Sequence, residues 1–317
     1  MSDFFLHGTM LALAWFLLFN AVVTAAAALL AIQLARRERL ASPGQWLALR
    51  LAPAALSIAF VAVVFLPSYW RFEPREGVEG FDLTLTALAV LALAVLASGV
   101  ARGAAAWRSA ARRTEQWLRT SRPLALDGAA MPAFAVDAET PLMALVGVLR
   151  PRLLITRPVL EALTGEELRA SVAHELGHRR AWDNLKRLAM RAAPDMWFGA
   201  GAARLLERQW ARTSEHAADR CAGAGERERC ALASALVKVA RLTPTATQLN
   251  EPISTLIDGG DITARVRRLL DDSPSDTGHR SARWVAIALA APALVLAYAP
   301  LLRLVHAVTE VLVNSLP

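Results

Sequence analysis

Cysteine and lysine are scarce in this chain of 317 residues, and the scarcity of cysteine excludes a disulfide-stabilised fold. The only cysteines, Cys221 and Cys230, lie nine residues apart, a spacing typical of neither a disulfide framework nor a zinc-binding thiolate pair. We therefore expect two free thiols. The only lysines are Lys186 and Lys238, so the basic charge is almost entirely arginine.

Long apolar runs, in contrast, are abundant. Apolar residues make up 55% of the chain, and its mean hydropathy is +0.35. A membrane-spanning helix needs about 20 mostly apolar residues, and four segments meet this requirement: residues 9–32, 51–69, 83–101 and 284–302. The first lacks a basic n-region and is too long for a secretory signal, so we expect it to be retained. The sequence therefore predicts a multi-pass protein of the lipid bilayer.

The formal net charge of +7 would also fit a nucleic-acid-binding protein. The arginines, however, cluster beside the apolar segments: after the first, after the third and before the fourth. The positive-inside rule makes these clusters cytoplasmic, so the charge is a topology signal and no nucleic-acid partner is expected. This predicts an outside N-terminus, three spans within residues 1–103, a cytoplasmic domain at 104–283, and a fourth span with a short tail at 284–317.

Short β-type runs broken by prolines occupy residues 131–156, and a helix is predicted to follow them. Thr164 and Glu167 form a T-x-x-E capping box, which predicts that this helix begins near Gly165. The apolar residues after the box recur at helical spacing. The predicted cytoplasmic domain therefore combines strands and helices, an α+β arrangement.

That helix contains the pattern H-E-x-x-H, formed by His174, Glu175 and His178. Two imidazoles four residues apart lie one turn apart on one helix face, where both can bind a single Zn²⁺. The glutamate between them can then act on a metal-bound water, which is the arrangement of zinc peptidases. The alternative interpretation is a pair of partly buried helix histidines that bind no metal.

A catalytic zinc site needs a third protein ligand and one open position for water. Glu215 is the candidate, and Asp219 follows it four residues later on a predicted second helix. In this interpretation Glu215 binds zinc, and Asp219 accepts a hydrogen bond from a ligating histidine and fixes its tautomer. Without the upstream motif, both carboxylates would be an ordinary solvated helix face. His216 is a weaker candidate, because it lies about 100° around the helix from Glu215.

Between about Phe134 and Leu270 the chain resembles the gluzincin membrane peptidases of bacteria. The segments that carry the resemblance are VLRPRLLI (148–155), LTGEELRA (163–170), HELGHRRAWDN (174–184) and the pair Glu215 and Asp219. They are similar to the BlaR/MecR antirepressor type of peptidase and, less closely, to HtpX-like enzymes, which usually have two spans before the domain. The resemblance implies an α-helical membrane protein with an α+β zincin-like metallopeptidase domain, three transmembrane helices before it and one after it, in the bacterial inner membrane.

The resemblance also implies roles for individual residues. One zinc ion per chain would be bound by His174, His178 and Glu215. Glu175 would be the general base, and Asp219 would be the carboxylate that orients a ligating histidine. Leu153, Leu154 and Ile155 would form an edge strand to which an extended substrate adds itself by main-chain hydrogen bonds. Arg265 matches an arginine that follows the zinc helices in related enzymes, and it either faces the active site or is an ordinary surface arginine.

The chain departs from the pattern of these families in three respects. A His-Pro pair shortly before the matched arginine in related enzymes is missing, and Gly259 and Gly260 occupy that region. Its only tyrosines, Tyr69 and Tyr298, lie in predicted membrane segments, so the group that stabilises the oxyanion is unassigned. The sequence also ends soon after the fourth predicted span, which leaves no room for a penicillin-binding sensor, and a β-lactam receptor is not expected.

The sequence thus predicts an integral-membrane zinc metalloendopeptidase that cleaves a cytoplasmic or membrane-adjacent protein, in regulatory or signalling proteolysis. An HtpX-like role in membrane-protein quality control is the alternative enzymatic reading. A non-catalytic membrane receptor or scaffold that retains a zinc site is the alternative from a different class.

Overall fold

The computed structural model describes residues 2–36, 42–74, 83–126, 131–196, 201–223, 225–242, 262–271 and 281–315, without the side chains of residues 2 and 281–296. In chain order the helices are α1 (Ser2–Arg36), α2 (Pro43–Phe60), a π-helical turn (Val61–Phe65), α3 (Leu66–Phe72), α4 (Leu83–Arg119), α5 (Arg157–Ala162), α6 (Gly165–Arg180), α7 (Asp183–Ala192), α8 (Gly201–Ala222), α9 (Glu226–Leu242), α10 (Ile262–Leu270) and α11 (Ser281–Asn314). The strands are β1 (Ser121–Leu124), β2 (Ala133–Val136), β3 (Met143–Val146) and β4 (Arg152–Thr156). The described part of the chain is therefore mostly helical, with a small mixed sheet.

Three helical stretches are long and apolar enough to cross a membrane: Asp3–Arg36, Pro43–Phe72 and Leu83–Arg119. Each contains one of the first three predicted spans, so the prediction of three apolar helices before the H-E-x-x-H motif is confirmed. Apolar side chains such as Val22 and Val90 are more than half exposed on them, as a lipid-facing surface requires. The predicted fourth span falls within α11, where the side chains before residue 297 lie outside the description, and it stays a prediction.

The third apolar helix does not end at the predicted domain boundary. α4 continues without a break from Leu83 to Arg119, past residue 103. Gly103 lies against α7, where a Cβ would come within 2.6 Å of Ala192 Cβ, so only glycine allows the two helices to pack this closely. The apolar helices and the rest of the chain therefore share a packed interface instead of being joined by a linker.

The four strands pair in the order β1-β2-β4-β3. β4 is parallel to β2 and antiparallel to β3, which makes β4 an interior strand. The expectation that Leu153, Leu154 and Ile155 form an edge strand is therefore wrong. All three residues are 0% exposed. Their uninterrupted apolar run is the pattern expected of a strand that is covered on both faces. The edge strands are β1 and β3 instead, and β3 is the one next to β4.

Helix α6 begins at the predicted capping box. Thr164 Oγ1 accepts a hydrogen bond from the Glu167 N–H, and the Glu167 carboxylate accepts one from the Thr164 N–H at 2.7 Å. The same carboxylate accepts bonds from Ser234 Oγ at 2.6 Å and Lys238 Nζ at 2.8 Å, both on α9. One residue thus caps α6 and ties it to α9, over a core formed with the sheet by apolar residues such as Ile155.

The residues after α7, 193–196, run between the apolar helices, and we call them the clamped segment. Asn20 of α1 is fully buried and contacts this segment twice. Its amide nitrogen donates to Pro194 O at 3.1 Å, and its amide oxygen accepts from the Met196 N–H at 3.2 Å. Gly99 of α4 leaves room for the segment, since a Cβ there would lie 2.9 Å from Pro194 Cα. A polar residue inside an apolar helix is thereby satisfied by a backbone from outside that helix.

Two arginines hold the clamped segment from the other apolar helices. Arg50 of α2 is 5% exposed and forms a buried ion pair with Asp195 of the segment. Its Nε also donates to Glu207 Oε1 of α8 at 3.2 Å. Arg102 of α4 donates to Ala193 O at 2.8 Å and lies 3.6 Å from Asp195 Oδ1. The segment is therefore fixed by polar contacts from α1, α2 and α4 together.

Glu167→Gln should remove a pH-dependent part of the stability. Burial would raise the pKa of Glu167, but hydrogen bonds from Lys238, Ser234 and the Thr164 N–H lower it to about 2. The ionised carboxylate therefore stabilises the fold above its ordinary pKa of 4.5, and this contribution is lost as the pH falls from 4.5 towards about 2. Thermal unfolding in detergent should show the wild type about 2 kcal/mol more stable than Glu167→Gln at neutral pH, with the difference vanishing in acid.

The control for this comparison is Glu166→Gln, which changes an exposed carboxylate in the same helical turn and should leave the stability unchanged. A difference between wild type and Glu167→Gln that does not depend on pH would contradict the role of the charge.

Asp195→Asn should leave Arg50 as a buried charge without a full counter-charge and lower the free energy of unfolding by about 3 kcal/mol. The double variant Arg50→Met, Asp195→Leu removes both charges and should recover most of that loss. Unfolding temperatures in one detergent measure both effects. Glu115→Gln, which breaks an exposed pair with Arg119 on α4, is the matched control. A double variant that is no more stable than Asp195→Asn would show that the two residues act independently.

Candidate metal centre

Helices α6 and α8 approach backbone to backbone where Gly177 faces Ala218. A Cβ at Gly177 would lie 3.1 Å from Ala218 Cα and 3.3 Å from Cys221 Cβ, closer than ordinary contacts between side chains. The absence of a side chain at this position therefore sets the separation of the two helices. Glu215 lies three residues before Ala218, and His174 three residues before Gly177, so the close approach places these two side chains opposite each other.

The two motif histidines and Glu215 meet at this crossing, and we call them the triad. His178 Nε2 lies 3.2 Å from His174 Nε2. Glu215 Oε2 lies 3.4 Å from His174 Nε2, and Glu215 Oε1 lies 3.4 Å from His178 Nε2. His174 is fully buried and Glu215 is 6% exposed. The structure thus brings the predicted third ligand from a separate helix against both predicted histidines, in a group that could hold a metal ion.

The triad has the ligand spacing of a tetrahedral zinc site. Metal–ligand bonds of about 2.0–2.1 Å at tetrahedral angles place neighbouring ligand atoms about 3.3 Å apart. The two histidine nitrogens here are 3.2 Å apart, and each lies 3.4 Å from a different oxygen of Glu215, Oε2 for His174 and Oε1 for His178. Glu215 Oε2 is buried and accepts no hydrogen bond of regular geometry, although Arg265 Nη1 lies 3.1 Å away. Two imidazoles and one carboxylate therefore fit a zinc ion with a fourth position left for water.

Asp183 orients the second histidine of the triad. Trp182, whose left-handed backbone has φ 57°, turns the chain sharply between α6 and α7. Asp183 Oδ2 then lies 2.7 Å from His178 Nδ1 and accepts a bond from Ser214 Oγ at 2.5 Å. Burial would lower the pKa of His178, but Asp183 and Glu215 raise it to about 10. The hydrogen on Nδ1 is therefore held by Asp183, which leaves Nε2 directed at the other triad atoms.

The sequence interpretation missed Asp183, although the residue lies within the segment that carries the family resemblance. The available signal was its position five residues after His178, just beyond the end of the motif helix. A carboxylate at that distance can fold back on the histidine only if the helix ends in a sharp turn. The left-handed conformation of a tryptophan, which β-branched and bulky residues rarely adopt, could not be anticipated from the residue type.

Asp219 lies behind the other histidine, as predicted. Its Oδ1 is 2.9 Å from His174 Nδ1, close enough for a hydrogen bond, although the ring N–H is not aligned for a regular one. Arg265 donates to both oxygens of Asp219, at 2.6 Å and 3.0 Å, and its Nη1 lies 3.1 Å from Glu215 Oε2. Burial would raise the pKa of Asp219, but contacts with His174 and Arg265 lower it. Arg265 is 4% exposed, so it is not an ordinary surface arginine.

Glu175, the predicted general base, is 2% exposed and lies at a small pocket beside the triad. The pocket is lined by Leu145, Glu175, His178, Asp183, Asn184, Arg187 and Glu215. Burial raises the pKa of Glu175, even though both histidines act to lower it. A carboxyl group at this position is the kind of group that general acid–base catalysis uses to accept and return a proton.

Asn184 joins the metal centre to the edge of the sheet. Its side-chain nitrogen donates to Leu145 O of β3 at 3.0 Å and to Gly147 O at 2.8 Å. Gly147 has φ 90°, a conformation that favours glycine, so the chain can turn immediately after β3. The edge strand is therefore fixed next to the pocket that contains Glu175.

His216 is not part of the triad. Its ring contacts Arg268 of α10, with 3.0 Å between its Nδ1 and the arginine Nη1. A second grouping that could hold a metal, Glu73, His306 and Glu310, lies where α3 meets α11. His306 Nδ1 is 3.8 Å from Glu73 Oε2 there, but the members are half-buried or exposed, so water competes for them.

No family model matches the chain, and no curated protein matches it. The resemblance to BlaR/MecR-type peptidases therefore stays a prediction from the motif segments. Any function assigned to the metal centre depends on the chemistry of its own residues.

Asp183→Asn should weaken zinc binding by about 10- to 100-fold, because the amide cannot hold the His178 Nδ1 hydrogen with a negative charge. Competition with a chromophoric zinc chelator measures the affinity. Lys186→Gln is the matched control, since Lys186 Nζ contacts the same carboxylate at 3.3 Å but does not contact the triad. Unchanged zinc affinity in Asp183→Asn would show that His178 does not depend on this contact.

Proposed function

We propose that this protein is an integral-membrane zinc metalloendopeptidase of the gluzincin type. The observation that carries the proposal is the convergence of His174, His178 and Glu215. The two Nε2 atoms are 3.2 Å apart and each lies 3.4 Å from one oxygen of the carboxylate, with Glu175 buried beside them. One zinc ion per chain is the cofactor that this donor set fits. Bound there, zinc would polarise the scissile carbonyl and lower the pKa of a water molecule.

The residues of the chain then have separate tasks. Glu175, in its small pocket, accepts the proton of the attacking water and delivers it to the leaving nitrogen. Asp183 and Asp219 hold the outer nitrogens of the two histidines, so that the inner nitrogens converge. Arg265 neutralises Asp219 and part of Glu215, and thereby keeps both carboxylates ionised in a buried place.

The substrate is a polypeptide that pairs with the edge of the sheet. β3 is the strand at that edge, and Asn184 fixes its end next to the pocket that contains Glu175. An extended peptide can add itself there by main-chain hydrogen bonds, with its side chains pointing alternately towards and away from the sheet. The role that the sequence assigned to Leu153, Leu154 and Ile155 thus passes to Met143–Val146.

The cellular setting that we propose is the inner membrane of a bacterium, with the metal centre on the cytoplasmic side. Three apolar helices and the arginine clusters beside the apolar segments support this setting. The biological role that we propose is regulatory cleavage of a cytoplasmic or membrane-adjacent protein, with membrane-protein quality control as the alternative. Crosslinking of substrates to an inactive variant in cells separates the two roles. A regulatory peptidase would trap one or a few regulators, whereas a quality-control peptidase would trap many misfolded membrane proteins.

A non-catalytic scaffold that retains zinc is less well supported. Structural zinc sites are closed by four protein ligands. Among the described residues, the group around His174 and His178 contains Glu215 as its third member and no fourth, and His216 contacts Arg268 instead. The buried Glu175 would also have no purpose in a structural site.

Glu175→Gln should abolish proteolysis and leave zinc binding intact. General-base catalysis contributes about 10²- to 10⁴-fold to the rate, and glutamine cannot accept the proton. Casein cleavage and zinc content, measured on the detergent-purified full chain, test the two halves of this prediction. Glu166→Gln, an exposed residue of the same helix, should behave as the wild type. Full activity in Glu175→Gln, or a wild type without zinc, would refute the mechanism.

A further inference from the structure

A groove leads away from the metal centre between the last turns of α4 and the end of β3. Its walls include Arg113 and Trp117 from α4, Val146 and Gly147 from the edge of the sheet, and Arg187 and Arg191 from α7. Arg187 also lines the small pocket that contains Glu175 and His178, so groove and pocket adjoin. A chain that pairs with β3 beside the triad would therefore continue into this groove.

The described walls of the groove carry positive charge without an acidic residue. Within the described part of the chain, Arg113 and Arg187 form no ion pair with a carboxylate. Arg187 is held by its position over the Trp210 ring, with 5.5 Å from Cζ to the ring centroid. Arg191 lies 4.0 Å from Glu207 Oε2, a weak pair that leaves donors available. Arginine presents several N–H groups in a fixed plane, and carboxylates are its natural partners.

An anionic lipid headgroup is the other ligand with the required charge, but the position of the groove disfavours it. Arg113 lies twelve residues beyond residue 101, where the predicted third span ends. In a continuous helix this is about 18 Å along the axis, whereas the headgroup layer on each side of a bilayer is about 5–8 Å thick. The groove also shares Arg187 with the pocket that contains Glu175, where a peptide substrate would lie and a lipid need not.

We propose that this groove binds an acidic segment of the substrate, a few residues to one side of the cleaved bond, and so determines which proteins are cleaved. The proposal rests on the peptidase function proposed above, since the groove adjoins that site. Arg113 is the specificity-determining residue that is easiest to test, because it projects from α4 and has no described partner. Arg187 is the second, although its contact with Trp210 also makes it structural.

The deciding measurement is peptide binding to the zinc-loaded full chain with Glu175→Gln, reconstituted in phosphatidylcholine nanodiscs. The probes are fluorescein-labelled peptides that share one extended sequence. Each carries a pair of Glu, Gln or Lys residues, and the pair is moved along the peptide from one position to the next. We expect the Glu peptide to bind about tenfold more tightly than the Gln peptide at the best position, and the Lys peptide to bind most weakly. Arg113→Glu should abolish or reverse this order. Arg112→Glu, the exposed neighbour that does not line the groove, should preserve it.

A second measurement separates failure of this proposal from failure of the proposed function. Wild type acts on a mixture of peptides from a digested proteome, and mass spectrometry identifies the residues on each side of every cleaved bond. Acidic residues enriched on one side, and lost in Arg113→Glu but not in Arg112→Glu, support the groove. Glu175-dependent cleavage without that enrichment overturns the groove and leaves the peptidase. Selective binding of the Glu peptide without cleavage by wild type overturns the peptidase and leaves the groove.

The lipid alternative has its own outcome. Nanodiscs with phosphatidylglycerol in place of part of the phosphatidylcholine provide the headgroup charge. Arg113→Glu could change only how peptide binding depends on phosphatidylglycerol, and leave the preference among the Glu, Gln and Lys peptides as it is in Arg112→Glu. In that case the groove is a lipid site and the proposal is wrong. Equal binding of the Glu, Gln and Lys peptides by the Glu175→Gln protein overturns it as well.

Discussion

The metal centre is organised around a buried excess of negative charge. Four carboxyl groups, those of Glu175, Asp183, Glu215 and Asp219, lie within a few side chains of one another, and each is at most 6% exposed. Arg265 is the buried permanent cation that faces them. Burying unpaired charge is costly, so such a cluster needs further positive charge. Protons on the two histidines can supply it, and in the function that we propose one divalent ion would displace those protons and supply it instead. The carboxylates that hold the two histidines thus also favour a cation between them.

This arrangement depends on a contact without any charge, the close approach of α6 and α8 at Gly177. It also depends on α7, which starts at the residues that hold His178 and β3 and ends at the clamped segment. Asn20, Arg50 and Arg102 fix that segment from three apolar helices. The position of the ligands is therefore determined by the apolar helices as well as by the sheet. A domain that begins at residue 104 would lose all three contacts, because Asn20, Arg50 and Arg102 precede that boundary. The cut would also divide α4 just after Arg102.

The sequence predicted the parts of the site that follow from local periodicity. His174 and His178 share a helix face by their spacing, and Glu215 was identifiable because zinc chemistry requires a third ligand. The sequence left open whether Arg265 faces the active site or lies on the surface, since its burial depends on the packing of α10 against α8. Asp183 was missed because its contact needs a left-handed turn at a tryptophan. Non-local or unusual backbone geometry is what separates the missed residues from the predicted ones.

Strand order was the other failure, and its cause is general. An apolar run such as Leu153–Ile155 has no alternation to show which face or edge is exposed, so its pattern is that of an interior strand. Assigning it to the edge relied on family resemblance, against this pattern. β3 is also buried along most of its length, because α6 and the metal centre cover it, so polarity does not mark the edge strand either. What identifies β3 is Asn184, whose side chain bonds to a carbonyl oxygen that a neighbouring strand would otherwise take up. Asn184 thus fixes the end of β3 beside the triad, and the edge strand and the triad geometry are set by the same turn of α7.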